Sequence, residues 1–389
     1  MYNIKTLNAI SPVWQEILPQ QEYVVSAEAT APEAILVRSA AMHEMEIGKE
    51  LLCVARAGAG VNNIPLEKMA EAGVVVFNTP GANANAVKEL AVAAMLLASR
   101  RIPEAMCWCQ GLKDGETSVE KQVEKGKAQF VGPELAGKTL GVIGLGAIGV
   151  QVANTGYALG MNVLGYDPFI SVEHAWKLSR AVRHSYSMEE ILEKSDYISL
   201  HVPLMDSTKN MINDESIAKM KPNAALLNLS RNGLVDNEAV KRALSQGKMR
   251  VYVTDFPSAD LIGVPGVVLT PHLGASTPES EDNCVRMAAK QVKDYLENGS
   301  IVNSVNYPNC ALTAPVGPRI ALLHQNVPNV IGAVTQLVSG EGLNIDNMVN
   351  KSKGAYAYTV LDLNKEPSEA LVAALEALDT MYRVRRIHP

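Results

Sequence analysis

Aromatic residues are scarce in this 389-residue chain: they make up 5%, with 4 Phe and 3 Trp. The apolar content of 47% is carried mainly by aliphatic side chains and by 15 Met, an ordinary composition for a folded protein. Long hydrophobic runs are absent. The longest, residues 90–97, falls far short of the roughly 18 residues a membrane helix needs, so no membrane partner is expected. Cysteines are few and odd in number: Cys53, Cys107, Cys109, Cys284 and Cys310. Cys107 and Cys109 have one residue between them, which fits neither a redox C-x-x-C nor a usual zinc pair. The five are expected to be reduced packing residues in the cytoplasm. The opening residues lack the charged-then-apolar run of a signal peptide, which agrees with that location. Basic runs are missing too, and the net charge is −6, which argues against nucleic acid as a partner.

What is present is alternation. Residues 34–37, 51–54 and 74–77 read as short buried strands, with helices expected over 42–49 and 65–71 between them. A long Ala-, Leu- and Met-rich helix follows over 85–100. A second run of strands occupies 139–143, 161–166, 197–202, 224–228 and 251–255. Strand–helix alternation implies parallel sheets covered by helices. Residues 280–299 form another long helix, and Pro308, Pro315 and Pro318 mark a linker. The remainder reads βαββαβ, a ferredoxin-like order. The expected architecture is α/β: two Rossmann- or flavodoxin-like parallel-sheet domains and a small C-terminal domain. The expected boundaries are 1–98 with 284–312, then 99–283, then 318–389.

Ligands of such sheets bind beyond the carboxyl ends of the strands, a rim that holds Asp167, His201, Asn228 and Asp255. On that rim Gly144-Leu145-Gly146-Ala147-Ile148-Gly149 follows a strand and opens a helix. Gly144 permits a tight turn, Gly146 a close backbone approach to a pyrophosphate, and Gly149 tight helix–strand packing. Glycines alone make a weak signal, since a glycine-rich turn can serve packing only. Here the next strand ends in Asp167, 18 residues after Gly149, where a carboxylate can accept from a ribose diol. A carboxylate repels a 2′-phosphate, and Pro168 and Phe169 bring no cation to offset that. NAD is therefore the expected cofactor.

Two more rim segments carry chemistry. In Asn228–Asp236 an apolar strand delivers Arg231, whose guanidinium can grip a carboxylate bidentately. In Thr270–Ser276 flanking Pro and Gly fix His272, whose imidazole is a candidate proton acceptor. Each alone reads as readily as a surface arginine or a structural histidine. Together they match what hydride transfer from a secondary alcohol needs: a base for the hydroxyl proton and a cation for the substrate carboxylate. Asp260 lies between them in sequence and would favour the imidazolium if bonded to His272.

This set resembles the D-isomer-specific 2-hydroxyacid dehydrogenases over nearly the whole chain. Arg38-Ser39-Ala40, Ala55–Asn63 and Asn78–Gly81 look like the family's first-domain motifs, and Gly144–Gly149, Ser230–Asp236 and Pro271–Thr277 like its second-domain motifs. The resemblance implies Arg231, Asp260 and His272 as the catalytic set. Asp260 stands where the family has Glu, one methylene shorter. It implies NAD contacts at Thr79, Gly144, Gly146, Ala147, Ile148, Gly149, Asp167, Val202, Leu229, Ser230, Arg231, Asp255, His272, Leu273, Gly274 and Ala275. Family substrates range over lactate, glycerate, glyoxylate and phosphorylated acids. A phosphate needs cations, and Arg38 and Arg56, with Ser39, Gly58 and Asn83 as neutral donors, stand at the family's motif positions opposite Arg231. Pairing of the two arginines with local acids is the competing reading. The expected reaction is NAD-dependent oxidation of 3-phospho-D-glycerate to 3-phosphohydroxypyruvate, the first step toward L-serine. The alternatives are a dehydrogenase or reductase for another small D-2-hydroxy acid (glycerate, lactate, glyoxylate) or a non-catalytic NAD(H)-responsive binding protein.

The C-terminal βαββαβ order resembles an ACT domain, a module that often binds amino acids between paired copies. His324, Asn326 and Asn344 fall where serine-responsive relatives contact serine, although Pro328-Asn329 replaces the usual Pro-Gly. Joining subunits without any effector is the alternative role. A homodimer or homotetramer, with L-serine as effector, is the expectation that follows.

Overall fold

The computed structural model describes residues 1–388. It divides into two compact units: Met1–Ala82 together with the chain from Glu281 onward, and Asn83–Ser280.

In the first unit β1 (Tyr2–Leu7), β2 (Tyr23–Ser26), β3 (Ala34–Val37), β4 (Cys53–Arg56) and β5 (Val75–Phe77) form a parallel sheet in the order β2-β1-β3-β4-β5. Every residue of β3 and β5 is buried. A parallel sheet covered on both faces has no polar side, which is why these strands read as unbroken apolar runs. Helix α1 (Leu66–Glu71) connects β4 to β5. The helix expected over 42–49 does not form. Met42 is fully buried, and Met45 and Ile47 pack on the same cluster of Val37, Val54 and Val76. On a helix Ile47 would point well away from Met42 and Met45, so an irregular backbone is the way to seat all three.

The second unit opens with α2 (Ala84–Ser99), α3 (Ile102–Gln110) and α4 (Val119–Gly126). Then come β6 (Thr139–Ile143), α5 (Ala147–Ala158), β7 (Asn162–Tyr166), α6 (Val172–Lys177), β8 (Arg183–His184), α7 (Met188–Lys194) and β9 (Tyr197–Leu200). It closes with α8 (Asp214–Lys219), β10 (Ala224–Asn228), α9 (Asn237–Ser245), β11 (Met249–Thr254) and β12 (Val267–Leu269). The strands form one parallel sheet, β12-β11-β10-β9-β6-β7-β8. Strand order reverses between β6 and β9, the switch point where a Rossmann sheet opens a crevice at its carboxyl rim.

Helix α10 (Pro278–Asn298) carries the chain back into the first unit. There β13 (Arg319–Gln325), α11 (Val330–Gly340), β14 (Ile345–Lys353), β15 (Tyr356–Leu363), α12 (Glu369–Glu376) and β16 (Met381–Ile387) complete the expected βαββαβ order. Their antiparallel sheet runs β14-β15-β13-β16. Ala321, Leu323, Tyr358, Val360 and Ile387 of this sheet share one core with Ile4, Leu36 and Phe77 of the first sheet. Arginines make the join polar as well as apolar. Arg385 donates to the carbonyls of Tyr295 and Leu296, and Arg319 to those of Asn298 and Thr313. Tyr295, Leu296 and Asn298 lie in the last turn of α10, whose unpaired carbonyls and negative dipole end favour cations. Arg319 also binds Asp362 through both carboxylate oxygens, at 2.5 and 3.2 Å. No helix of the described residues is long and apolar enough to cross a membrane.

Candidate active site on the nucleotide-binding unit

The glycine turn has the shape its spacing predicts. Gly144 adopts φ +91°, and a Cβ there would lie 2.5 Å from the His201 carbonyl oxygen. A Cβ on Gly149 would lie 1.9 Å from the Gly144 carbonyl oxygen. Both positions therefore exclude any side chain. Around Gly146, by contrast, a Cβ would meet nothing within 4 Å. The backbone there borders open space, and no side chain caps the first turn of α5 at Ala147 and Ile148. This arrangement fits a dinucleotide pyrophosphate on a helix N-terminus. Asp167 accepts from Leu145 N with one carboxylate oxygen and from Phe169 N with the other, each at 2.8 Å. An ionised carboxylate has about four acceptor sites, so two remain for a ribose diol.

His201 is a rim residue whose partners sequence reasoning did not reach. Its Nε2 pairs with Ser199 Oγ at 2.8 Å, while its Nδ1 is buried with no hydrogen-bond partner among the described residues. Loss of water pushes the imidazole from its usual 6.5 down to about 4.

Strands β10 and β11 are neighbours, and the segments after β10 and β12 carry the two expected reactive groups. After β10, buried Asn228 donates through Nδ2 to the Arg231 carbonyl at 3.0 Å and accepts from Ser230 N. Ser230 Oγ donates to the Val202 carbonyl at 2.6 Å, tying this turn, next to buried Leu229, to the segment after β9. The Arg231 side chain is exposed, with Nη1 donating to the Ser230 carbonyl at 2.7 Å.

After β12 the loop is organised by Asp255, which is 1% exposed. Its carboxylate accepts from Thr270 Oγ1 at 2.6 Å, Leu273 N at 2.7 Å and Gly274 N at 2.8 Å. The Asp255 carbonyl also accepts from His272 N at 3.1 Å. His272 sits at φ +56°, a conformation costly for a residue with a Cβ. The buried carboxylate holds it there. The His272 ring is exposed, its edge against Phe256 with ring centres 5.1 Å apart. Asp255 thus anchors the loop through backbone and hydroxyl donors, and Phe256 backs the imidazole. An aromatic directly after the strand-ending Asp was the signal for that second contact. Ala275, like Leu273, lies exposed beside His272.

The structure does not bring Asp260 to His272. Asp260 Oδ2 accepts from Asn237 Nδ2 at 2.9 Å, and hydrogen bonds from Ser258 and Asn237 hold its carboxyl below the usual range. Among the described residues no hydrogen bond or ion pair joins it to the imidazole.

In the first unit Arg38 directly follows β3 and Arg56 ends the adjacent strand β4. Arg56 Nε donates to the Arg38 carbonyl at 3.0 Å, and Arg38 Nη1 pairs with Glu281 at 2.7 Å. The local acid weighed against a ligand for Arg38 is therefore present. Ser39 is exposed, its N–H held by Asn8 Oδ1 at 3.1 Å. Gly58 adopts φ +152° and accepts from Thr79 N at 3.1 Å, and Thr79 itself is fully buried. Asn83 precedes α2 as its N-cap residue without a side-chain cap bond.

In the small sheet His324 is 2% exposed, its ring nitrogens against the Gln325 carbonyl and Thr359 Oγ1, both at 2.8 Å. Asn326 Nδ2 donates to Gly354 O, at the β14–β15 turn. Asn344 bonds Asp346 and Asn364 at the other end of β14. One chain therefore keeps Asn344 apart from His324 and Asn326.

Comparison with known proteins agrees with this geometry. Residues 92–274 match the NAD-binding domain of the D-isomer-specific 2-hydroxyacid dehydrogenases. A D-3-phosphoglycerate dehydrogenase of Haemophilus influenzae is 32% identical over 360 residues, covering 88% of this chain and 83% of that protein. The chain belongs to the D-isomer-specific 2-hydroxyacid dehydrogenase family. A D-3-phosphoglycerate dehydrogenase of Methanocaldococcus jannaschii is 41% identical over 271 residues, 68% of this chain, and the chain spans 49% of that relative's length. The crystal structure of NAD-bound 3-phosphoglycerate dehydrogenase of Entamoeba histolytica superposes with a TM-score of 0.59 at 27% identity, covering 80% of this chain and 99% of that one.

Two outcomes follow from the rim. Asp255→Ala should speed hydrogen exchange of the Leu273 and Gly274 amides at least tenfold and lower stability by about 3 kcal/mol, because a buried carboxylate's hydrogen bonds are lost. Unchanged exchange in that loop would contradict the anchoring. His201, depressed when folded, contributes full stability above pH 6.5 and loses it as pH falls toward 4. Urea midpoints should therefore drop between pH 6.5 and 4, by up to about 3 kcal/mol in free energy. His201→Gln should flatten that slope.

Proposed function

We propose that this chain oxidises 3-phospho-D-glycerate to 3-phosphohydroxypyruvate with NAD. The observation that carries this reading is the Asp255-anchored loop, which fixes His272 on the same sheet rim as Arg231 and the glycine turn. Gly144–Gly149 and Asp167 would hold NAD, which would supply the acceptor for the hydride leaving C2 of the substrate. The His272 imidazole takes the proton of the C2 hydroxyl, so that the oxygen becomes a carbonyl. The Arg231 guanidinium holds the C1 carboxylate and polarises the C2 oxygen as the bond order rises. Arg38 and Arg56 are the cations we assign to the phosphate, and the relatives named D-3-phosphoglycerate dehydrogenase support that choice. Asp260, held by Asn237, is left out of the proton transfer.

We further propose a homodimer or homotetramer. No residue of α3, of α4 or of the short turn of helix Lys127–Phe130 is buried. Trp108 packs on Phe130, with ring centres 5.5 Å apart, inside this excursion, and Met106 and Val131 are exposed. A helical excursion of this size without a core needs another surface, and a second copy supplies it. Antiparallel pairing of β14 with its copy would also set Asn344 of one chain beside the His324 end of the other, which is the arrangement an L-serine effector site would use.

Assays with NAD should give turnover of 3-phosphoglycerate, and His272→Asn should lower kcat by roughly 10²–10⁴-fold while leaving NADH binding near its original strength. Turnover of D-glycerate or D-lactate without 3-phosphoglycerate would reject the substrate. Light scattering should report at least two chains per particle, and L-serine should then lower turnover. A monomer at micromolar concentration would end both the assembly and the effector proposals.

A further inference from the structure

Glu281 is the acid that occupies Arg38. Its Oε2 lies 2.7 Å from Arg38 Nη1, with side-chain exposures of 28% for the glutamate and 46% for the arginine. It stands in the first turn of α10, where the positive dipole end favours an acid. Arg56 is tied to the same place through the Arg38 carbonyl. Burial raises the Cys284 thiol, one turn further along α10, above its usual range, while the charges of Arg56 and Arg38 act to lower it and that of Glu281 to raise it.

We propose that Glu281 is a specificity-determining residue: it competes with the substrate phosphate for Arg38 and so sets how tightly a phosphate monoester dianion is held. This rests on the assignment of Arg38 and Arg56 to the phosphate. The ion pair is partly exposed, so solvent screens it and a ligand can displace it. The displacement has an electrostatic consequence that persists. Once the phosphate takes Nη1, a full negative charge on Glu281 remains beside a dianion. A substrate with a neutral hydroxyl in place of the phosphate leaves the pair intact and feels no such repulsion. Glu281 therefore lowers affinity for the phosphorylated acid and narrows the preference over its unphosphorylated analogue.

The test is steady-state kinetics of Glu281→Gln and Arg38→Gln, with NAD saturating and 3-phosphoglycerate or D-glycerate varied. Gln keeps the size of Glu and removes only the charge. Glu281→Gln should lower KM for 3-phosphoglycerate by roughly threefold to tenfold, the scale of a removed partly screened charge. KM for D-glycerate should change less than twofold, and the gain should shrink as salt is raised. Arg38→Gln should raise KM for 3-phosphoglycerate at least tenfold. If Arg38→Gln behaves so but Glu281→Gln leaves KM unchanged or raises it, the competition is overturned and the phosphate assignment stands. If Arg38→Gln leaves KM for 3-phosphoglycerate untouched, or the unaltered chain does not turn that substrate over, the phosphate assignment fails and the inference falls with it. Equal KM decreases for both substrates would also overturn it, since the effect would not read the phosphate.

Discussion

A buried carboxylate that must be satisfied governs the reactive rim. Asp255 ends β11 inside the protein, where an ion without donors would cost several kcal/mol. The chain meets that demand by folding the segment after β12 back over it, so that two amides and a hydroxyl converge on the carboxylate. The loop conformation follows from this requirement, and with it the positive φ of His272. The imidazole is thus positioned by main-chain bonds to an acid that its own ring does not touch.

The same logic of unsatisfied polar groups joins the C-terminal sheet to the first one. The last carbonyls of α10 have no partner within the helix. Arg319 and Arg385, from the two adjacent strands β13 and β16, supply the donors, and Arg385 also stacks over the Tyr295 ring at 4.3 Å. Arg383 donates to the carbonyls of Lys49 and Ala72, beyond β3 and α1. Moving the small sheet as a separate body would strip those guanidiniums of their acceptors while they are still largely enclosed. It would also open the core that Leu323 and Tyr358 share with Phe77. Any signal received by the βαββαβ module is therefore passed on through a shared core, not through a flexible tether.

Main-chain periodicity was the legible part of the sequence. Strands 139–143 and 224–228 coincide with β6 and β10, and the glycines of 144–149 announce a turn whose crowding forbids side chains at Gly144 and Gly149. These features are local: a buried parallel strand must be apolar throughout, and a turn against a carbonyl must be glycine. The segment 42–49 misled because its apolar residues suggest a helix, whereas seating Met42, Met45 and Ile47 on one cluster takes an irregular backbone, a demand set by the receiving core and not by the segment itself. Strands β1 and β2 escaped notice for a related reason: both lie toward one edge of the sheet, where polar residues interrupt the apolar residues of β1 and β2 has only four residues.

Side-chain partners were less legible, because a residue type states a capacity and not an address. Asp255 and Asp260 are both acids following the same strand, and sequence position favours either as the companion of His272. What separates them is depth. Asp255 is enclosed where only the returning loop can reach it, whereas Asp260 is exposed beside the start of α9 and finds Asn237. The same holds for Arg38, whose role depends on Glu281 arriving from α10, more than 240 residues later in the chain. Charge balance at a ligand site is set by such non-local encounters. A motif can name a cation, but the acid that pairs with it comes from a helix laid down for other reasons, so the charge left at such a position is legible only once the chain is folded.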